Sequence, residues 1–148
     1  MSTIPTQAAR SRGISSNDAN ASALSNASEL AGRILLAVLF LLSGLGKLGA
    51  YAGTAAYMAS QGVPGALLPV VIATEVVGAV AIISGWHTRI AAFLLAGFTL
   101  LSALVFHNNF ANQVEMIMFM KNVAITGGFL LLVAHGAGRW SLDRRAGR

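Results

Sequence analysis

Four long apolar stretches, separated by short polar segments, dominate the pattern of this chain. Each is about 17–20 residues long, and a helix of that length rises roughly 30 Å, the thickness of the hydrocarbon core of a bilayer. The stretches run from about Ala31 to Leu48, Leu67 to Ser84, Ile90 to Phe106 and Glu115 to Ala134. The pattern predicts an all-α protein, a membrane four-helix bundle.

The segments that connect these stretches differ in character. Residues 49–65 carry Tyr51 and Tyr57 among small residues, which predicts a short segment at the membrane surface, where tyrosine is favoured. That segment closes on Gly-Val-Pro-Gly at residues 62–65, a sequence typical of a turn. Residues 85–89 form a tight connection, and the polar residues 107–113 form the last one.

The two ends of the chain lie outside the apolar stretches. Residues 1–28 are rich in Ser, Ala, Asn and Thr and lack the apolar run of a signal peptide, so we expect a disordered N-terminal tail. Residues 139–148 form a basic C-terminal tail. Residues 29–138 then form the predicted four-helix membrane domain.

The composition supports lipid as the solvent of this domain. The chain is 55% hydrophobic and only 10% charged, whereas a soluble domain usually carries about 25% charged residues. The net charge of +5 comes from basic residues in the flanks and at helix ends, which favours contact with lipid over binding of nucleic acid. The absence of cysteine excludes disulfides, thiolate metal sites and covalent haem attachment.

The distribution of Lys and Arg predicts the orientation in the membrane. Basic residues gather at both termini and in the middle connection, while the other two connections have only Lys47. These basic residues are Arg10, Arg12, Arg33, Arg89, Arg139, Arg144, Arg145 and Arg148. Because connections rich in Lys and Arg remain on the cytoplasmic side of a membrane, we expect both termini to be cytoplasmic.

Each predicted helix contributes one ionisable group to the outer half of the bundle. Glu75 lies about 12 Å and Lys121 about 9 Å from the outer ends of their helices, while Lys47 and His107 lie at such ends. Charges at this depth cost several kcal/mol unless paired or hydrated, so they usually face the bundle interior. Two interpretations stay open: Glu75 pairs with a lysine to hold the bundle, or the cluster, with its excess positive charge, binds a small polar group.

Small residues beside these charges predict close helix packing. Gly78 and Gly85 share a helical stripe with Glu75, and Gly128 lies on the face of Lys121. Together with Gly44, which precedes Lys47 by three positions, they are the expected contact points between helices.

Metal and cofactor sites have weaker signals. Met116, Met118 and Met120 suggest copper, but residues two apart point to different sides of a helix, so apolar filler explains them better. His87 and His135 sit at helix ends, which does not favour haem. Since the only aspartates, at positions 18 and 143, lie in the tails, no acyl-transfer triad can be assembled. We therefore predict no metal site and no covalently bound cofactor.

An ordered set of short motifs resembles the DoxX family over about Arg33–Asp143. The motifs are Arg33 to Ala37, Ser43-Gly44, Lys47, Gly62-Val63-Pro64, Glu75 with Gly78, Gly85 with Thr88-Arg89, Phe106-His107, Phe119 with Lys121-Asn122, Gly127-Gly128, and Gly136 with Gly138 and Ser141-Leu142-Asp143. At Gly78-Ala79 many members of the family carry two glycines, and alanine preserves the close packing.

The resemblance implies a four-helix protein of the bacterial inner membrane. Relatives are linked to terminal quinol oxidase and thiosulfate:quinone oxidoreductase systems and to membrane complexes of oxidative-stress defence. The polar positions of the family fall on Lys47, Glu75, His107 and Lys121. We therefore expect a ligand site for a quinone headgroup, with the two lysines as donors to the quinone carbonyls.

Three functional hypotheses follow. The first is an accessory subunit of a quinone-linked respiratory or oxidative-stress redox complex, with membrane lipids, quinone and other redox subunits as its partners. The second is a quinone-dependent oxidoreductase component that acts directly, and the third is a small-solute carrier or membrane scaffold. A homo-oligomer is compatible with each of them.

The predicted orientation can be tested with compartment-sensitive reporters. Fusions after Arg148 and within residues 108–113 should report opposite compartments, with the C-terminal fusion in the cytoplasm, because the Lys and Arg bias sets the topology. Signals from the same compartment would contradict the four-helix topology.

Overall fold

The computed structural model describes the backbone of residues 16–147 and the side chains of residues 18–147. Over that range it consists of helices joined by short connections. The helices are α1 (Ser16–Gly49), α2 (Tyr51–Ser60), α3 (Leu68–Ser84), α4 (Thr88–Phe106), α5 (Gln113–His135) and α6 (Leu142–Arg145). Four of the described segments are long and apolar enough to span a membrane: Asp18–Gly49, Gly65–Ser84, Thr88–Phe106 and Gln113–His135. The prediction of an all-α, four-span architecture is thus confirmed, while the orientation in the membrane stays a prediction.

Helix α1 begins well before the apolar stretch that predicted it. It starts at Ser16 and is 34 residues long, so residues 16–28 of the expected disordered tail are helical, and residues 1–15 lie outside the described residues. No glycine or proline interrupts the chain between residue 16 and Gly32, and Asp18 in the first turn suits the positive end of the helix dipole. The helix of the first apolar stretch therefore continues into this polar sequence.

The expected surface segment is itself helical. Helix α2 ends at Ser60, and Gly62, with φ +78°, turns the chain towards a 3₁₀ turn at Gly65–Leu67 that leads into α3. Met58 of α2 is buried against Leu68 and Ile72 of α3. The α2 segment is thus anchored to the bundle at the end where α3 begins.

The four long helices form a bundle with a core of small residues. Helix α3 packs between α1 and α4, and α5 packs mainly against α4 with a small contact to α1. At the centre, the rings of Phe40 and Phe129 meet edge to face with their centroids 5.3 Å apart. The buried residues around these rings are Ala37, Ala79, Ala81, Ile82, Ala91, Ala92, Leu95 and Ala96. Alanines at these positions let the helix backbones approach closely.

The glycines expected at helix contacts all lie against a neighbouring element. A Cβ added at Gly44 would stand 2.7 Å from Val76, one at Gly78 would stand 3.0 Å from Leu95, and one at Gly128 would stand 3.2 Å from Leu36. Gly85 has φ +69°, and a Cβ there would meet Arg33 and Ser141. Each glycine thus occupies a point where a larger side chain would push two elements apart.

The C-terminal segment folds back onto the connection between α3 and α4. The backbone N–H of Asp143 donates to the carbonyl of Gly85 over 2.8 Å. The carboxylate of Asp143 accepts from the backbone N–H groups of His87 and Thr88, both at 2.8 Å, and so caps the start of α4. Burial alone would raise the pKa of Asp143, but the hydrogen bonds from Thr88 and His87 outweigh it and the pKa is lowered.

A buried arginine connects this C-terminal segment to the bundle. Arg33 of α1 is only 1% exposed. Its guanidinium donates to the carbonyl of Ile82, in the last turn of α3, over 3.4 Å, and to the carbonyl of Trp140. Arg33 therefore holds α1, α3 and the segment after α5 together at one end of the bundle.

The packing role of Gly44 can be tested against another glycine of the same helix. Gly44→Ala should destabilise the protein by about 1–3 kcal/mol, because the new methyl group overlaps Val76. Nothing lies within 4 Å of a Cβ at Gly46. There, Gly46→Ala should raise stability by up to about 1 kcal/mol through helix propensity. Thermal unfolding in detergent measures both changes, and equal effects would contradict the assignment of Gly44 to a contact between α1 and α3.

Candidate functional site

A buried ion pair joins α1 to α3 in the half of the bundle that contains the C-terminal end of α1. The Nζ of Lys47 lies 2.9 Å from Oε1 and 2.8 Å from Oε2 of Glu75. Ser43 donates to Oε1 of Glu75 over 3.2 Å and accepts from Lys47 over 2.6 Å. The side chain of Glu75 is 5% exposed and that of Lys47 is 24% exposed. All three hydrogens of the lysine are thus used within the chain, and the pair is neutral.

The sequence creates this pair through two local features. Ser43 precedes Lys47 by four residues, so the two side chains lie on the same face of α1. Gly44 lies beside them, and a Cβ there would stand 3.2 Å from the Cβ of Glu75. The missing side chain lets α3 approach until lysine and carboxylate are in direct contact.

A second polar side-chain pair connects the end of α4 to the start of α5. The Nδ1 of His107 lies 2.7 Å from Oε2 of Glu115, with both side chains about one-third exposed or less. Asn112 caps α5 by accepting from the backbone N–H groups of Val114 and Glu115. The cap fixes the first turn of α5 and with it the position of Glu115 against His107.

Both features border one cavity of about 390 Å³, which we call the Glu75 cavity. Its lining is mostly apolar and comes from α1, α2, α3, α4 and α5. Lys47, Glu75 and His107 all line it. The other polar residues of its wall are Ser43, Thr54, Tyr57, Thr99, Ser102 and Asn122. A pocket of this volume with a few convergent polar groups is typical of a small-molecule site.

Some of these polar groups are satisfied within the chain and others are not. The hydroxyls of Thr54 and Thr99 donate to the carbonyls of Ala50 and Leu95, four residues earlier. In contrast, the Ser102 and Tyr57 hydroxyls make no hydrogen bond within residues 18–147. The same holds for the second ring nitrogen of His107 and for the amide oxygen of Asn122, whose amide nitrogen donates to Met118. The cavity therefore offers donors and acceptors to a ligand.

Lys121 does not join the other three predicted residues. Its side chain is exposed on α5 and does not line the Glu75 cavity; the next residue, Asn122, takes that place. One residue along a helix turns the side chain by about 100°, so neighbours face different surroundings. Lys121 also has no ion-pair partner in the described part of the chain. The excess positive charge that the sequence led us to expect is therefore absent from the cavity.

Three of the uncharged polar residues of the cavity wall were not predicted as ligand residues. Thr99 and Ser102 of α4 and Asn122 of α5 are uncharged, and each is the kind of side chain that hydrogen-bonds between membrane helices. Their position inside apolar stretches was the available signal. Because only ionisable groups were weighed as ligands, this signal was not used.

Among residues 18–147, the side chains considered for metal and haem sites do not line the Glu75 cavity. In that range no three histidine or carboxylate side chains converge where a metal could bind. Met116, Met118 and Met120 are exposed on α5. His87 and His135 line a separate cleft at the opposite end of the bundle.

Comparisons with known proteins agree with this architecture. The family model for DoxX matches residues 28–108. The chain is 53% identical over 115 residues to inner membrane protein YqjF of Escherichia coli (strain K12), covering 78% of this chain and 88% of that protein. It is 41% identical over 123 residues to inner membrane protein YphA of the same strain, again covering 78% and 88%. No solved structure matches the chain.

The pairing of Glu75 with Lys47 predicts a specific rescue. Glu75→Gln strands the ammonium group of Lys47, and loss of one partner of a buried pair costs roughly 3–5 kcal/mol in soluble proteins. Adding Lys47→Met to Glu75→Gln should recover part of the loss in a thermal melt in detergent.

Lys121→Met is the matched control for that rescue, because Lys121 lies outside the cavity. Added to Glu75→Gln, it should recover nothing. If both methionine variants rescue equally, or if Glu75→Gln melts like the parent, the pair does not hold α1 to α3.

Proposed function

The chain belongs to the DoxX family of inner membrane proteins, and from this premise we propose that it is an accessory subunit of a quinone-linked redox complex that holds a quinone headgroup in the Glu75 cavity. Its residence in the inner membrane as a multi-pass protein follows from its relatives and its four apolar helices. The quinone and the redox complex are our proposal.

One observation carries this proposal: the Glu75 cavity is apolar over most of its wall and yet has unsatisfied polar groups inside a membrane bundle. Its volume of about 390 Å³ lies within the range of small-ligand sites, roughly 300–1,000 Å³. A quinone has an apolar ring and two carbonyl oxygens that accept hydrogen bonds. Such a molecule matches a wall of this composition better than an ion or a sugar does.

The donors that suit a quinone differ from the two lysines first expected. Lys47 already gives its three hydrogens to Glu75 and Ser43, and Lys121 lies outside the cavity. The Ser102 hydroxyl, the second amide hydrogen of Asn122 Nδ2 and, when it carries a proton, the second ring nitrogen of His107 would donate to the carbonyl oxygens instead. The Lys47–Glu75 pair would then set the shape of the site and keep its net charge at zero.

His107 would connect the cavity to the protein surface. Glu115 orients the His107 ring through Nδ1, and the His107 side chain is 27% exposed. A bound quinone would supply two-electron redox chemistry, which no side chain of this cysteine-free protein supplies. The role of the chain is accordingly to bind and orient, while partner subunits carry out the electron transfer.

Ligand-dependent unfolding tests the proposal. A soluble short-chain quinone analogue at 100 times its Kd should stabilise the parent by about 2.7 kcal/mol through mass action. Asn122→Leu removes a proposed donor from the cavity wall and should abolish most of that shift in detergent.

Lys121→Met serves as the control, since it changes the adjacent residue of α5 outside the cavity. It should keep the full shift. No shift in the parent at a saturating concentration of the analogue would contradict quinone binding and leave the membrane-scaffold hypothesis, which requires no ligand.

A further inference from the structure

A second and larger cleft lies at the opposite end of the bundle, where α4 begins and α5 ends. Its volume is about 740 Å³, and we call it the arginine cleft. The polar first part of α1 and the segment after α5 complete its wall. Three arginines line it, each from a different part of the chain: Arg89 of α4, Arg139 of the connection after α5, and Arg144 of α6.

These three guanidinium groups have no partner within the described residues. They belong neither to the Lys47–Glu75 pair nor to the His107–Glu115 pair, and they make no hydrogen bond within residues 18–147. The two carboxylates of the cleft wall are already engaged. Asp143 caps α4 through His87 and Thr88, while Glu29 accepts from Ser25 and interacts electrostatically with the buried Arg33. With three arginines against these two carboxylates, the cleft wall carries an excess of one positive charge among its arginines and carboxylates.

Exposed tryptophans indicate that the arginine cleft lies at the level of the lipid headgroups. Trp86 and Trp140 both lie at this end of the bundle and are 51% and 53% exposed. Tryptophan concentrates at the boundary between hydrocarbon and headgroups. Ile90, which also lines the cleft, is 60% exposed on α4, one helical position after Arg89. Apolar and cationic side chains therefore meet at one opening.

We propose that the arginine cleft binds the phosphate group of an anionic phospholipid. Guanidinium groups form forked hydrogen bonds to phosphate, and arginines from three elements can surround one headgroup. Inorganic phosphate shares the chemistry of the headgroup but gains nothing from Ile90 or from the tryptophan belt, so the cleft favours the lipid. The site is separate from the Glu75 cavity and does not depend on the quinone proposal.

Two neighbouring arginines of α6 provide the test. Arg144 lines the cleft and Arg145 does not, although both are exposed and carry the same charge. The full chain in a non-ionic detergent is titrated with short-chain phosphatidylglycerol, and binding is measured by native mass spectrometry. Arg144→Gln and Arg89→Gln should each weaken binding roughly fivefold, the usual value of one arginine at an anionic surface. Arg145→Gln should bind like the parent.

Three further results would overturn the proposal. Equal weakening by Arg145→Gln would indicate diffuse attraction to the basic tail, and equal binding of phosphatidylcholine would remove the requirement for an anionic headgroup. Displacement of the lipid by millimolar inorganic phosphate would make the cleft a soluble-anion site.

Thermal melts without lipid check that each variant is folded. Arg89→Lys keeps the charge but loses the forked hydrogen bonds, so it should still bind the lipid more weakly than the parent.

Discussion

The Lys47–Glu75 pair is the interaction on which the rest of the structure depends. A carboxylate that is 5% exposed inside a membrane bundle is tolerated only with a partner, since an unpaired charge there costs several kcal/mol. This requirement fixes α1 against α3, and it requires the absence of a side chain at Gly44. The wall of the Glu75 cavity follows from that contact, because α4 and α5 close around a pair of helices whose separation is already set.

Buried charges have different partners at the two ends of the bundle. At one end, Lys47 and Glu75 neutralise each other, so the cavity beside them is neutral and suited to a dipolar ligand. At the other end, Arg33 is buried by giving its hydrogens to the carbonyls of Ile82 and Trp140, and its positive charge persists. The contact between Arg33 and Trp140 holds the C-terminal segment against the start of α4. There Asp143 accepts hydrogen bonds that the N-cap residue of α4 does not accept itself. Three further arginines, Arg89, Arg139 and Arg144, line the cleft at this end.

Helix α5 is the least embedded of the long helices, and this affects its side chains. Among its residues only Phe129 is buried, and α5 touches α1 little. Asn122 faces the cavity while Lys121 and the methionines at 116, 118 and 120 face outward. On this side the wall of the Glu75 cavity consists of the Asn122 side chain, and the pair between His107 and Glu115 holds the start of the helix in place.

The sequence by itself determined the four spans, the glycines that face other helices and the DoxX family. Each of these depends on length, composition or a local motif. The tertiary structure decided which polar side chains meet. Glu75 pairs with Lys47, His107 pairs with Glu115, and Asn122 lines the cavity where Lys121 was expected. The physical reason is the solvent. In water the apolar face of a helix marks the interior, but in lipid the inner and outer faces are both apolar, so the pattern along α5 carries no sign of which side turns inward. Only the packing of the helices sets that rotation.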